Sequence, residues 1–324
     1  WHSVVVTDRA FEPITKIYTW EFTGAAQLSR KMREEASLLS CLYMISGCVP
    51  NAVYPRQTLL YLQQQGLDLK DRLVMSQGAY CYYRMTGHFT ETPNVQSGGG
   101  FLNLDTLRYD PFVLNLLGMG EKQFGALATY RDAAPLNEEA AQMLGIKAGI
   151  PVVPAHSDGA CSQIGSFCEA PNMMTLSIGT SGAMRMAQDH PVFSDGYETW
   201  SYYGVSSYIC GAAVSGATNC IDWFRRAFSL ESMDYQALEM DRKPERKEDT
   251  PVFMPFLFGE RCPGWQDDRL AGFMELRPHH GLTDLYRAVQ EGILFSLFSC
   301  YRPLVQVVGE PQSIVVSGGI LNSA

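Results

Sequence analysis

The sequence predicts an α/β chain of two domains, and three observations carry that prediction. Apolar, β-branched runs alternate with segments whose apolar residues recur at helical spacing. Two of those runs, residues 174–178 and 313–316, lead straight into glycine turns. The 324 residues also exceed what one ordinary core organises, so two units of moderate size are expected.

Residues 3–7 read as a buried strand ending near Asp8, and residues 17–20 as a second short strand. Over residues 24–41 the spacing turns helical: Leu28, Met32, Ala36 and Leu39 share a face, with Arg30, Lys31, Glu34 and Glu35 elsewhere. A middle region of short mixed elements follows, punctuated by Ser97-Gly98-Gly99-Gly100. Asn137 ahead of Glu138-Glu139 is a helix cap, and Gly145 is the matching stop. A strand over 150–154 then delivers the loop His156-Ser157-Asp158-Gly159, with a helix expected over 161–167. The domain boundary falls in 169–172, giving domains 1–168 and 173–324.

In the second half, residues 174–178 run into Gly179-Thr180-Ser181-Gly182. A helix over 219–228 puts Ile221, Phe224 and Phe228 on one face. A longer helix over 283–301, capped by Thr283-Asp284, carries Leu285, Val289, Ile293 and Leu297. The last strand meets Ser317-Gly318-Gly319. No fixed-period repeat indicates a solenoid.

Hydrophobic residues make up 46% and charged residues 18%, the balance of a soluble globular chain. A net charge of −9 argues against a nucleic-acid partner, since phosphate backbones attract clustered cations. The basic stretches, Arg225-Arg226 and residues 242–247, alternate with acids and read as a solvated face. The apolar runs are too short and interrupted to span a bilayer, so no membrane partner is expected. Nine cysteines, without C-x-x-C pairs or metal spacing, fit free thiols in a reducing compartment, and the cytoplasm is the expected location. The chain opens on Trp1 rather than Met, as a piece of a longer protein would.

A glycine turn at a strand end lets backbone N–H groups approach a phosphate, and a neighbouring hydroxyl adds a donor. Neither turn has the Walker lysine or the G-x-G-x-x-G spacing, so neither a P-loop NTPase nor a dinucleotide site is supported. Gly179-Thr180-Ser181-Gly182-Ala183 also lacks the second glycine of a hydrolase elbow. Asp158 is the carboxylate that stands out: it follows an apolar strand and precedes the small pair Gly159-Ala160. It suits a proton acceptor for a hydroxyl, or equally a cap of the next helix.

Together these pieces resemble the FGGY carbohydrate kinases, most closely the gluconate kinase and xylulose kinase branches, in order over nearly the whole chain. Trp1-His2-Ser3 resembles the family's Q-M-H-[SG] element, and Tyr18-Thr19-Trp20 stands where it has T-W. Met85-Thr86-Gly87 resembles L-T-G, and Ser97 to Leu104 resembles S-x-T-G-L-F-D-L. Ser157-Asp158-Gly159-Ala160 is similar to the loop bearing the catalytic Asp, and Ser177 to Gly182 matches S-x-G-T-S-G. Gly211 to Val214, leading to Ile221-Asp222-Trp223, resembles the G-G-A-x helix entry ending in Q-W. Phe256 to Pro263 matches P-[YF]-L-x-G-E-R-x-P, and Arg287 to Phe295 matches R-A-x-x-E-G-x-x-F. Ser317-Gly318-Gly319 resembles the start of the adenosine motif.

The resemblance implies two actin- and hexokinase-like (ribonuclease H-like) domains around a cleft, the first for the sugar and the second for ATP. It implies ATP with Mg²⁺, transfer to a hydroxyl of a small sugar or sugar acid, and Asp158 as general base and metal ligand. His2, Ser3 and Trp20 join Asp158 at the substrate, with a gluconate-like acid ahead of a xylulose-like ketose because His2-Ser3 follows the gluconate-kinase variant. Gly179, Thr180, Ser181, Thr218, Asp222, Gly318, Gly319 and Ser323 are placed at the nucleotide. A further phosphate loop before Trp1 and a tail beyond the adenosine motif are implied, and a homodimer is allowed. The resemblance is broken at Glu21-Phe22-Thr23-Gly24, Thr218, Asp222 and Arg269-Leu270-Ala271. Those departures support a second expectation, a weakly catalytic or non-catalytic sugar or nucleotide binder. Glu260-Arg261 and Arg287/Glu291 are expected to be structural ion pairs.

Overall fold

A computed structural model describes residues 1–233 and 249–322. The basic stretch 242–247 and Ser323 lie outside the described residues. The chain divides into two compact units, Trp1–Gly165 with Gln188–Phe193 and Trp200–Ile209, and Ser166–Ala187 with Ser194–Thr199 and Cys210–Ala324.

In the first unit the run Val5–Thr7 pairs antiparallel with Leu73–Met75, Val5 opposite Met75 and Val6 opposite Val74. Side chains alternate across a strand. Val4 and Val6 enter one core with Leu42, Leu59, Leu102 and Val113, and Val5 enters another with Met75 and Ala79. Both faces are buried, which is why this segment reads as an unbroken apolar run rather than an alternating one.

The helix expected over 24–41 is broken at Glu35 into Ala26–Glu34 and Ala36–Ser46, because Glu35 adopts an extended backbone. Residues 17–20 contribute only a bridge between Val4 and Tyr18. The Ser97 to Gly100 run closes the helix Pro93–Gly99, which Thr92 caps by accepting the Val95 N–H. Asn137 and Gly145 bound the helix Glu138–Leu144 as their chemistry dictates, with Asn137 Oδ1 accepting the Ala140 N–H at 2.8 Å. The strand after it is only Pro151–Val152.

The second unit is built on Met173–Ile178, Ser313–Ser317 and all but the end residues of the adjacent strands Gly182–Gln188 and Tyr208–Val214. Met173–Ile178 runs antiparallel to Gly182–Gln188 and parallel to Ser313–Ser317. The helices Thr218–Ala227 and Leu282–Val308 belong to the same unit. The long helix starts at Gly281, whose N–H donates to Asp284 Oδ2 at 2.9 Å, so Asp284 supplies the cap. Among the described residues no helix is long and apolar enough to cross a membrane.

Candidate active site

Asp158 opens the helix Asp158–Gly165, and the residue before it is held by another helix. The Ser157 N–H donates to Asn94 Oδ1 at 2.6 Å, while Ser157 Oγ accepts the Ala160 N–H at 3.3 Å. Ser157 therefore performs the capping that Asp158 could have performed. The Asp158 side chain is 93% exposed, and its Oδ1 lies 3.3 Å from the backbone nitrogen of Trp1.

Trp1 is seated by Asn94 as well, through an indole N–H donated to the Asn94 carbonyl at 2.7 Å. Its ring meets Tyr202 edge-on at 5.0 Å and lies against Gly98, where an added Cβ would stand 2.5 Å from Trp1 Cδ1. Only glycine lets the helix approach the indole this closely. His2 follows with a φ of 64°, a region that ordinary side chains enter at a cost. Its ring packs edge-on to Tyr54 at 5.4 Å and Tyr202 at 5.8 Å, and those two hydroxyls are 2.8 Å apart.

Trp1, His2, Ser157 and Asp158 line one cavity of about 520 Å³ within the first unit, walled by residues 1–3, 19–21, 76–78 and 155–158 with Cys81 and Val95. His2, Ser3, Trp20 and Asp158 are thus brought together. Ser3 Oγ accepts the Gln77 N–H at 3.0 Å and joins the first strand to the start of the helix Gln77–Thr86. The lining carboxylates are Glu21 and Asp158, and no Lys or Arg stands among the described lining residues. The rest of the polar wall includes His2, Ser3, Thr19, Ser76, Gln77, His156 and Ser157, a set suited to hydroxyls. His156 Nδ1 lies 2.9 Å from the Pro154 carbonyl, which only accepts. The ring proton therefore sits on Nδ1, and Nε2 is left as an acceptor.

Ser76, Gln77, Gly78 and Asn94 belong to no site motif of the sequence, while Glu21 and His156 stand there only as a break in the resemblance and as part of the Asp158 loop. One signal was available: residues 73–75 are an apolar run ending in Ser-Gln-Gly, a strand delivering a helix cap. Behind Ser76 lies Glu91, 2% exposed. Its carboxylate accepts the Ser76 N–H at 2.7 Å and the Ser76 hydroxyl at 2.9 Å. Burial pushes Glu91 up to about 7, against the lowering effect of those bonds and of Gln96.

The described residues expected at a nucleotide gather separately in the second unit. Ile178 pairs with Gly182, so residues 179–181 form a tight hairpin loop in which Gly179 N–H donates to Ser181 O at 3.0 Å. The parallel register sets Ser317 beside Ser177, which brings both glycine turns to the same sheet end. Such carboxyl ends of parallel strands are where α/β sheets bind ligands. Gly318 has a φ of 99°, and a Cβ there would stand 2.3 Å from the Ile178 carbonyl. Thr218 N–H donates to Gly179 O at 3.0 Å, anchoring the start of the helix Thr218–Ala227 on the loop. Gly319 stands over Thr218, with 3.9 Å from an added Cβ to Thr218 Cγ2. Asp222 sits one turn further along that helix and is exposed.

Glu260 is 8% exposed and pairs with Arg269 at 2.9 Å, not with its neighbour Arg261. Arg287 and Glu291 do pair, at 2.9 Å. Trp223 stacks on Phe253 at 6.1 Å. Cys220 and Cys300 are buried, and burial pushes the Cys220 thiol up to about 12. Asp249, His279 and His280 also cluster in this unit, with His279 Nε2 2.6 Å from Asp249 Oδ2. Arg277 N–H donates to His280 Nδ1 at 3.0 Å, so the neutral ring keeps its proton on Nε2, the atom facing Asp249 at 3.9 Å. That tautomer makes an Asp–His contact and denies a metal the His280 lone pair.

The hydroxyl-lined cavity thus lies in one unit and the paired glycine turns in the other. The chain belongs to the FGGY family of carbohydrate kinases: residues 1–165 match the family's N-terminal domain and residues 174–324 its C-terminal domain. It is 24% identical to the gluconokinase of Bacillus licheniformis, over 99% of this chain and 66% of that protein. It is 24% identical to the xylulose kinase of Staphylococcus xylosus, over 91% of this chain and 62% of the relative. Among solved structures it resembles the ligand-bound xylulose kinase and the gluconate kinase from Lactobacillus acidophilus. Each has a TM-score of 0.88 at 25% identity, over 99% of this chain and 66% of that one. The chain thus spans 66% of the length of the gluconokinase it matches.

Proposed function

We propose that this protein transfers the γ-phosphoryl group of ATP to a hydroxyl of a small sugar or polyol, with Asp158 as the general base. The observation that supports it most is the gathering of His2, Ser3, Trp20 and Asp158 on one cavity wall. In this reading residues 1–168 form the acceptor domain and 173–324 the nucleotide domain, in a cytoplasmic enzyme.

The acceptor oxygen attacks the γ-phosphorus, the bond to the β-bridging oxygen breaks, ADP departs, and the hydroxyl proton passes to an Asp158 oxygen. Ser157 caps the helix that Asp158 opens, and the Asp158 carboxylate is exposed. It is also a hard oxygen donor of the kind Mg²⁺ takes when most of its ligands are water and phosphate, and the ion would neutralise phosphate charge. Gly179, Thr180 and Ser181 are the phosphate donors, while Thr218, Asp222, Gly318, Gly319 and Ser323 form the nucleoside side.

For the acceptor, the His2-Ser3 pair speaks for a sugar acid, as do the gluconokinase relatives. The cavity lining speaks for a neutral ketose or polyol, since a substrate carboxylate would face Glu21 and Asp158 with no Lys or Arg among the described lining residues. We favour the neutral acceptor. Rates of ATP consumption on xylulose, ribulose, glycerol and gluconate, compared as kcat/KM, test it. A wide margin for gluconate reverses the preference, and binding without turnover on any of them supports the non-catalytic alternative.

A further inference from the structure

Glu91 reaches no ligand itself, yet it holds the cavity wall through two bonds to one residue. Its two oxygens take the Ser76 N–H and the Ser76 hydroxyl, while Ser76 Oγ in turn accepts the Ala79 N–H at 3.0 Å. An ionised carboxylate can only accept, so the Ser76 hydroxyl proton is committed to Glu91, and a ligand that reaches Ser76 Oγ meets only a lone pair. Once Glu91 is protonated, its own O–H can donate to Ser76 Oγ. Ser76 Oγ then accepts from both Glu91 and Ala79, and its proton is released.

We propose that Glu91 is a positioning residue whose protonation state sets whether Ser76 presents an acceptor or a donor to the ligand in the cavity. This rests on the reading of that cavity as the acceptor site. The surroundings of Glu91 permit the change. Ser76 and Gln96 hydrogen-bond its carboxylate, and the titratable neighbour is Tyr109, whose hydroxyl donates to the Gly125 carbonyl at 2.8 Å. Among the described residues no cation acts on Glu91, and burial brings its titration near pH 7, so both states occur under ordinary conditions.

The consequence differs between ligand groups. A carboxylate or ketone oxygen only accepts, and gains a bond when Ser76 becomes a donor. A polyol hydroxyl does either, and is served in both states.

The test measures dissociation constants of gluconate and xylitol between about pH 6 and pH 8 in the wild type, Glu91→Gln and Ser76→Ala. For gluconate the wild type should bind about 3- to 10-fold more tightly at the lower pH, the value of one hydrogen bond. Xylitol should change less. Glu91→Gln, whose amide donates to Ser76 Oγ at every pH, should hold the low-pH affinity throughout, and Ser76→Ala should lose the Glu91-dependent part. His2, Glu21, Cys81, His156 and Asp158 also line the cavity and are unchanged in Glu91→Gln, so the difference from wild type isolates Glu91. The same pH dependence in wild type and Glu91→Gln overturns the proposal.

Hydrogen exchange on the ligand-free protein decides separately, should neither probe bind and the kinase reading itself fail. The protection factor of the Ser76 amide should change with pH in the wild type, where its acceptor passes from carboxylate to carboxyl, and stay constant in Glu91→Gln. Identical profiles refute the role of Glu91.

Discussion

Asn94 Oδ1 accepts the Ser157 backbone N–H at 2.6 Å, so the residue that leads into Asp158 hangs from the helix Pro93–Gly99. The same residue takes the Trp1 indole N–H on its carbonyl and donates its amide to Tyr203 O at 3.0 Å. One residue thus fixes the approach to Asp158, the proposed general base, through its side chain and the aromatic wall through its backbone. Asn94→Ala should cost about 1–3 kcal/mol of stability by leaving a buried N–H unpaired. It should also lower kcat by more than it raises the acceptor KM, because a misplaced base is felt in the transition state. Chemical denaturation and steady-state kinetics on the same preparation check both halves.

Trp20 stands in the cavity wall, half-buried, on a segment that makes only a bridge to the first strand. Its ring is available to a sugar face. Trp20→Ala should raise the acceptor KM by about 3- to 10-fold, the worth of one aromatic contact, and leave the ATP KM in place. A matching rise in both constants would show damage to the fold instead.

The two glycines of the last turn should behave differently. Gly318, at φ 99° and against the Ile178 carbonyl, cannot accept a Cβ without displacing the hairpin loop, so Gly318→Ala should destabilise the protein by about 1–3 kcal/mol. Gly319 has room for a side chain on the protein side. Gly319→Val should keep the melting temperature and raise the ATP KM far more than the acceptor KM. Thermal melts and the two Michaelis constants separate the cases.

What the sequence revealed follows the range of the forces involved. Asn137 and Gly145 announced their helix because a cap acts within one turn. The strands before both glycine turns were legible because burial leaves a continuous apolar run. Asp158, His2, Ser3 and Trp20 came together through ordered family motifs, not through any local signal. Residues 97–100 were read as punctuation, although Thr92 and Pro93 had already started a helix over them. Glu91 and Asn94 look like ordinary surface-type residues in sequence. Their roles come from partners 15 and 63 positions away, which only the fold brings close. The Glu260 partner was misjudged for the same reason, since Arg269 is nine positions away and Arg261 is adjacent.

Glu91 also makes a prediction about stability. Its carboxyl is raised from an ordinary 4.5 to about 7, so the folded state holds this proton where the unfolded state has released it. The stabilisation from that bound proton is complete below about pH 4.5 and is lost as the pH rises to about 7. Relative to wild type, Glu91→Gln should therefore gain about 3 kcal/mol between about pH 4.5 and pH 8. Urea denaturation across that range reads the difference, and parallel curves would place Glu91 outside the linkage.

The central claim is that Asp158 takes the proton of the acceptor hydroxyl. Asp158→Asn keeps the size and the place of the side chain at the helix start while removing the basic oxygen. Single-turnover phosphorylation of the preferred acceptor, with acceptor and ATP binding measured on the same protein, tests the claim most directly. The account predicts a loss of at least ~10²-fold in the chemical step, binding within about 3-fold of wild type, and an unchanged melting temperature. A variant that turns over at close to the wild-type rate would contradict it and remove Asp158 from the mechanism.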